Sequence, residues 1–82
     1  MNQLMFTVVD KKNVDQIITW LQAIDGVEHA GRVFVDMVFN DRLYSFCYVE
    51  GPEEILQGIF QLLSADDRIS EPYFPPERKT YR

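Results

Sequence analysis

Hydrophobic residues in this chain change their period along its length, and that change restricts the folds open to it more than any other feature. Leu4, Phe6 and Val8 alternate with Met5, Thr7 and Val9, the period of two expected of a strand. Val14, Ile17, Ile18, Leu21 and Ile24 then recur at helical spacing, with Trp20 on the edge of the stripe. Alternation returns over Arg32 to Phe39 and Leu43 to Glu50, separated by Asn40-Asp41, two residues that tolerate the positive φ of a tight hairpin turn. Helical spacing follows in Ile55, Leu56, Ile59, Phe60 and Leu63, and Ile69 to Phe74 offers a last short strand that Pro72 consigns to an edge.

The expected order is therefore β-α-β-β-α-β in a single domain over residues 1–74, an α+β ferredoxin-like sandwich. Its four-stranded antiparallel sheet carries both helices on one face. Residues 75–82, opening on Pro75-Pro76, are expected to form a mobile basic tail. Local signals mark the boundaries. Asp10-Lys11-Lys12 makes a turn, and Asn13 with Gln16 three residues on suggests a capping box. Gly26 suits the left-handed position after the first helix. Pro52 suits the first position of the second helix, with Glu53 and Glu54 where the helix dipole favours carboxylates.

Residues 32–49 carry the expected interaction surface. A register set by the Asn40-Asp41 turn pairs Met37 with Tyr44, Val35 with Phe46 and Val33 with Tyr48 on one face. The other face holds Phe34, Asp36 and Val38 against Leu43, Ser45, Cys47 and Val49. Both faces of this hairpin are substantially apolar, and two helices cover only one side of a sheet. The alternation alone leaves open whether Tyr44, Phe46 and Tyr48 pack beneath the helices or lie on the uncovered side. Aromatics on a third strand stack on bases in RNA-recognition-motif domains, but the glycine and basic residue that precede them there are missing here.

Charge points the same way. Residues 1–71 hold 12 acidic and 5 basic side chains, a net of −7, while Glu77 against Arg78, Lys79 and Arg82 gives the last eleven residues +2. Nonspecific nucleic-acid affinity comes from cations displacing counterions, so an acidic body is expected to avoid nucleic acid and to favour protein partners, including basic surfaces.

Groups that carry chemistry are sparse. His29 is the lone imidazole and Cys47 the lone thiol, so the usual zinc ligand spacings cannot be assembled. Glu28 beside His29 points to the opposite face if both lie in a strand. Cys47 has apolar neighbours and no adjacent cation, the setting of an inert core thiol. The four glycines, at 26, 31, 51 and 58, are scattered and make no phosphate loop. Glu53-Glu54 and Asp66-Asp67 read as helix-end residues. No catalytic residue, metal or cofactor is expected, and the chain is not expected to be an enzyme.

The single cysteine, the absence of a positively charged leader and the lack of an apolar run near 20 residues together suggest a cytoplasmic protein with no membrane segment.

The run Ser45-Phe46-Cys47-Tyr48-Val49-Glu50-Gly51, followed by Pro52 and a helix, resembles the end of the third strand in blue-light-sensing, flavin-binding (BLUF) domains. There the run reads Phe-x-Gln-x-Leu-Glu-Gly. Asp67-Arg68 is similar to the Asp-x-Arg-His segment after the second helix of that family. The resemblance covers about a third of the chain, from Asn40 to Arg68, and implies the ferredoxin-like fold. It also implies that the flavin contacts are lost: Cys47 stands at the family's glutamine, Phe6 or Val8 at its first-strand tyrosine, and the region of Asp25 lacks its asparagine.

The function expected from these features is that of a non-catalytic protein-binding regulator, adaptor or inhibitor acting through an exposed sheet face and acidic surface, as a homodimer joined through open sheet faces or strand edges. The residues expected to bind the partner are Val33, Val35, Met37, Tyr44, Phe46 and Tyr48. Two alternatives remain open: a degenerate BLUF-like ligand- or flavin-sensing module, and an acidic nucleic-acid mimic of the phage-inhibitor type.

Overall fold

The computed structural model describes residues 2–75, with the side chains at 34–36 outside the description. The expected tail lies outside the described residues from position 76 onward. The elements run β1 (Asn2–Val9), a 3-10 turn (Lys11–Asn13), α1 (Val14–Gln22), β2 (His29–Phe39), β3 (Arg42–Gly51), α2 (Glu53–Ser64) and β4 (Ile69–Tyr73). The order anticipated from hydrophobic period is the order found. β2 begins three residues earlier than its alternation suggested, so His29 opens a strand.

The strands form one antiparallel sheet in the order β2-β3-β1-β4, placing β3 and β1 at the centre. The β2–β3 ladder shifts register between Arg32 and Asp36, so β2 consists of two paired stretches. Counted separately, these give the sheet five strands instead of the expected four. The architecture is a small α+β domain compatible with a ferredoxin-like fold.

Alternation decides the core. Leu4, Phe6 and Val8 of β1 lie opposite Val49, Cys47 and Ser45 of β3, and all six are buried. Val14, Ile17 and Leu21 of α1 and Leu56, Ile59 and Leu63 of α2 join the same cluster, so both helices cover the same side of the sheet. Each helix buries residues spaced three and four apart, the stripe that a period of 3.6 lays along one face. Burying a side chain as large as Phe6 favours folding by about 1.5–3 kcal/mol.

Several local expectations need correction. Asn13 does not cap α1 with its side chain; its Nδ2 donates to the Val9 carbonyl at 2.9 Å, tying the helix entry back to the end of β1. Gly26 does take a positive φ of 98°, but α1 ends at Gln22, so the glycine serves the loop and not the helix cap. Pro52 is the N-cap of α2 and not its first helical residue.

The hairpin turn is as expected: Asn40 and Asp41 have φ of 52° and 63°, and Phe39 pairs with Arg42 across them. Two positive φ values give a turn whose twist matches that of the flanking strands. Pro72 sits in the outermost strand, where a register shift and Glu71 at φ 52° make a bulge that tolerates its missing N–H.

Candidate interaction face

The side of the sheet without helices is built from alternate residues of β1 and β3. On β3 these are Arg42, Tyr44, Phe46, Tyr48 and Glu50, one position out of step with the buried Ser45, Cys47 and Val49. Val9, Thr7 and Met5 of β1 stand opposite Tyr44, Phe46 and Tyr48. All six are half-buried: they cover one another across the strands, and no helix lies over them. Tyr44, Phe46 and Tyr48 therefore belong to the uncovered face, which settles the alternative that the sequence left open.

Two neighbouring strands extend this surface. Tyr73 of β4 pairs with Met5 and donates its hydroxyl to the Met5 sulfur at 3.7 Å, while remaining 49% exposed. On the opposite flank Met37 pairs with Tyr44, as expected, and is 50% exposed. The expected pairing of Val33 with Tyr48 fails because of the register shift in β2. Gly31, and not Val33, stands opposite Tyr48.

The Tyr48 ring lies across the bare glycine: a Cβ at Gly31 would come within 3.1 Å of the hydroxyl and 3.3 Å of the ring. An aromatic laid over a cross-strand glycine shields backbone that would otherwise be open to water. Val33 is half-buried within the irregular stretch, and the Val35 side chain lies outside the described residues. A row of side chains thus crosses the whole sheet from Tyr73 through Met5 and Tyr48 to Gly31.

The hairpin tip is apolar as well. Val38 and Phe39 are 69% and 58% exposed, next to Met37. Sequence reasoning did not assign Met5, Thr7, Val9, Tyr73, Gly31 or Phe39 to the surface. The alternation of β1 carried the signal for the first three, and an isolated glycine in a strand pattern signals a bulge or a close approach.

Charge is distributed unequally between the two sides. On the open face of the central strands the charged side chains are Arg42 and Glu50, at opposite ends of β3; β2 adds His29, which pairs with Glu50 across the ladder. Gln3 Nε2 donates to a Glu50 oxygen at 3.1 Å, and Arg42 lies 3.8 Å from Asp10. Asp15, Asp25, Glu53, Glu54 and Asp67 are exposed on the helices and their connections.

On the helix side a shallow depression of about 510 Å³ is lined by Trp20, Leu62, Ala65, Asp66, Asp67 and Arg68. Its acid–base pair is Asp66–Arg68: two guanidinium N–H groups reach the carboxylate at 2.7 and 3.0 Å, and the Arg68 backbone N–H donates to it at 2.9 Å. The side-chain hydrogen bonds from Arg68 hold the Asp66 carboxyl below its ordinary pKa and raise that of the guanidinium. The partner of Arg68 is thus Asp66, not the adjacent Asp67.

Cys47 is fully buried, its Sγ 3.8 Å from the Ser45 carbonyl. Phe6 and Val8 are core side chains on the same side of the sheet. Among the described residues no group of three His, Cys, Asp or Glu side chains is arranged to hold a metal ion, and no helix is long and apolar enough to cross a membrane. The chain matches no protein-family model, no curated protein and no solved structure.

Proposed function

We propose that this chain is a protein-binding domain of ferredoxin-like architecture, a non-catalytic regulator, adaptor or inhibitor that docks through its uncovered sheet face. The observation that carries this is the row of Tyr44, Phe46 and Tyr48 on the side opposite the helices, continued by Met5, Met37 and Tyr73. Contiguous apolar surface on a small domain marks an interaction site, and tyrosine, methionine and phenylalanine are enriched at the centres of protein interfaces. A cytoplasmic setting belongs to the same proposal and is supported by a lone thiol buried in the core.

Photo-crosslinking tests it. A crosslinking residue at Met37 or Tyr73 is expected to capture protein in cells, and one at Gln57, exposed on α2, is not. Equal yields from the two sides would remove the sheet face from the proposal. A second mode, in which an acidic surface engages a basic cleft as a nucleic-acid mimic, is favoured by the carboxylates gathered on the helix side. It requires binding that weakens steeply with salt and is insensitive to substitution of Phe46.

A further inference from the structure

We infer that the occupant of the sheet face is a second copy of this chain, packed face to face about a two-fold axis that runs in the plane of the interface and across the strands. This rests on the sheet-face proposal above and adds to it the partner and its orientation.

The first support is electrostatic. With a net of −7 over residues 1–71, two copies repel wherever their acidic surfaces approach. The central strands of the open face carry little of that charge: Arg42 and Glu50 balance there, and Asp10 stands 3.8 Å from Arg42 just beyond the end of β1. Face-to-face packing puts the balanced surfaces together, about 10 Å apart as in sheet sandwiches, and leaves both acidic helix layers on the outside.

The second support is area. The molecule measures 38 × 35 × 19 Å. The four strands hold 34 residues, which at about 3.4 Å along a strand and about 4.8 Å between strands cover roughly 550 Å² in projection, and the relief of protruding side chains such as Tyr44, Phe46 and Tyr48 carries the accessible area toward the roughly 800 Å² per partner of a standard stable interface.

The third support selects the axis. Arg42 and Glu50 lie on the same face of β3, eight residues apart, with Phe46 midway. At about 3.4 Å per residue each stands some 14 Å from Phe46. A two-fold axis along the strands sets Arg42 near its own copy and Glu50 near its own copy, which costs energy twice. An axis across the strands at Phe46 reverses β3, so Arg42 of each copy meets Glu50 of the other, twice. The roughly 30° rotation usual between packed sheets shifts these ends sideways by about 7 Å, within reach of two long side chains. Two-fold symmetry makes each contact count double, so a single strand with opposite charges at its ends specifies its own complement.

Charge exchange provides the test, read by sedimentation velocity over a range of concentrations with circular dichroism to confirm folding. The wild-type chain is expected to reach twice its 9.6 kDa mass. Arg42→Glu alone and Glu50→Arg alone each place like charges at both ends of the interface, and each is expected to weaken self-association by about tenfold or more. An equimolar mixture of the two substituted chains restores opposite charges at both ends and is expected to form a heterodimer of wild-type stability. The orientation is wrong if Phe46→Glu abolishes the dimer while neither Arg42→Glu nor Glu50→Arg weakens it, or if both weaken it and the mixture stays dissociated. A wild-type chain that stays monomeric at millimolar concentration overturns the second copy as occupant and leaves the face open to a different protein. A dimer indifferent to Phe46→Glu and to both charge changes overturns the sheet face itself.

Discussion

Two glycine-to-alanine substitutions should act in opposite directions, although each adds the same methyl group. Gly51 closes β3 and is buried. A Cβ placed there would stand 3.0 Å from the carbonyl oxygen of Gly26. That oxygen belongs to backbone, so no side-chain rotation relieves the contact. Gly26 cannot retreat freely either: its own φ is 98°, the side chain of Ile55 presses within 3.0 Å of where its Cβ would be, and the Glu28 N–H is held by the Glu50 carbonyl at 2.9 Å. The loop after α1 is wedged between the end of β3 and the start of α2.

Overpacking a site that cannot yield costs about 1–3 kcal/mol, a large part of the roughly 5 kcal/mol expected for a domain of this length. Gly58 lies in the middle of α2 with nothing within 4 Å of an added Cβ. There alanine relieves only the helix penalty of glycine and is worth about 0.8–1 kcal/mol. Thermal unfolding followed by the fluorescence of the single tryptophan, Trp20, reads both. It should be run at one protein concentration, because any dimer couples to stability. At 4–8 °C per kcal/mol, Gly51→Ala is expected to lower Tm on the order of 10 °C and Gly58→Ala to raise it by about 5 °C. A Gly51→Ala chain as stable as wild type would refute the wedged loop and the close approach behind it.

Three further outcomes are expected from single side chains. Ser45 Oγ is buried without a hydrogen-bond partner among the described residues, so Ser45→Ala should leave stability unchanged or raise it by about 1 kcal/mol; a loss above that would reveal a partner. Asn13→Asp would be harmless if the residue capped α1 as an acceptor, but the observed bond needs an N–H donor to Val9, so a loss of about 1 kcal/mol is expected in equilibrium unfolding. The Asp66 carboxyl has its folded pKa depressed by Arg68, so its contribution is complete above the ordinary 3.8 and is lost as pH falls through the lower folded value. Melting curves of wild type and Asp66→Asn should therefore converge toward the acid end; a constant gap at every pH would show that the ion pair contributes nothing.

The elements were legible in the sequence to within a few residues because period and turn chemistry are local. Leu4, Phe6 and Val8 declare a strand buried on one side, and Val14, Ile17 and Leu21 declare a helix, whatever they later meet. The interaction face was legible only in part. Its aromatic row on β3 could be read from alternation, but its neighbours on β2 could not. The shift between Arg32 and Asp36 exchanges Val33 for Gly31 beside Tyr48, and no residue in that stretch announces it.

Glu50-Gly51-Pro52 likewise suggested a strand giving way to a helix, without revealing that the glycine answers to Gly26, 25 residues away. By itself the amino-acid order determined which segments are strands and helices, where the chain reverses at Asn40-Asp41, and that the body is acidic. Only the assembled tertiary structure decided which side the rings of β3 face, which strand residues stand opposite them, and which glycines are irreplaceable. Those outcomes depend on what two amphipathic helices cover and on registry between segments distant in the chain, and neither is encoded in a local pattern.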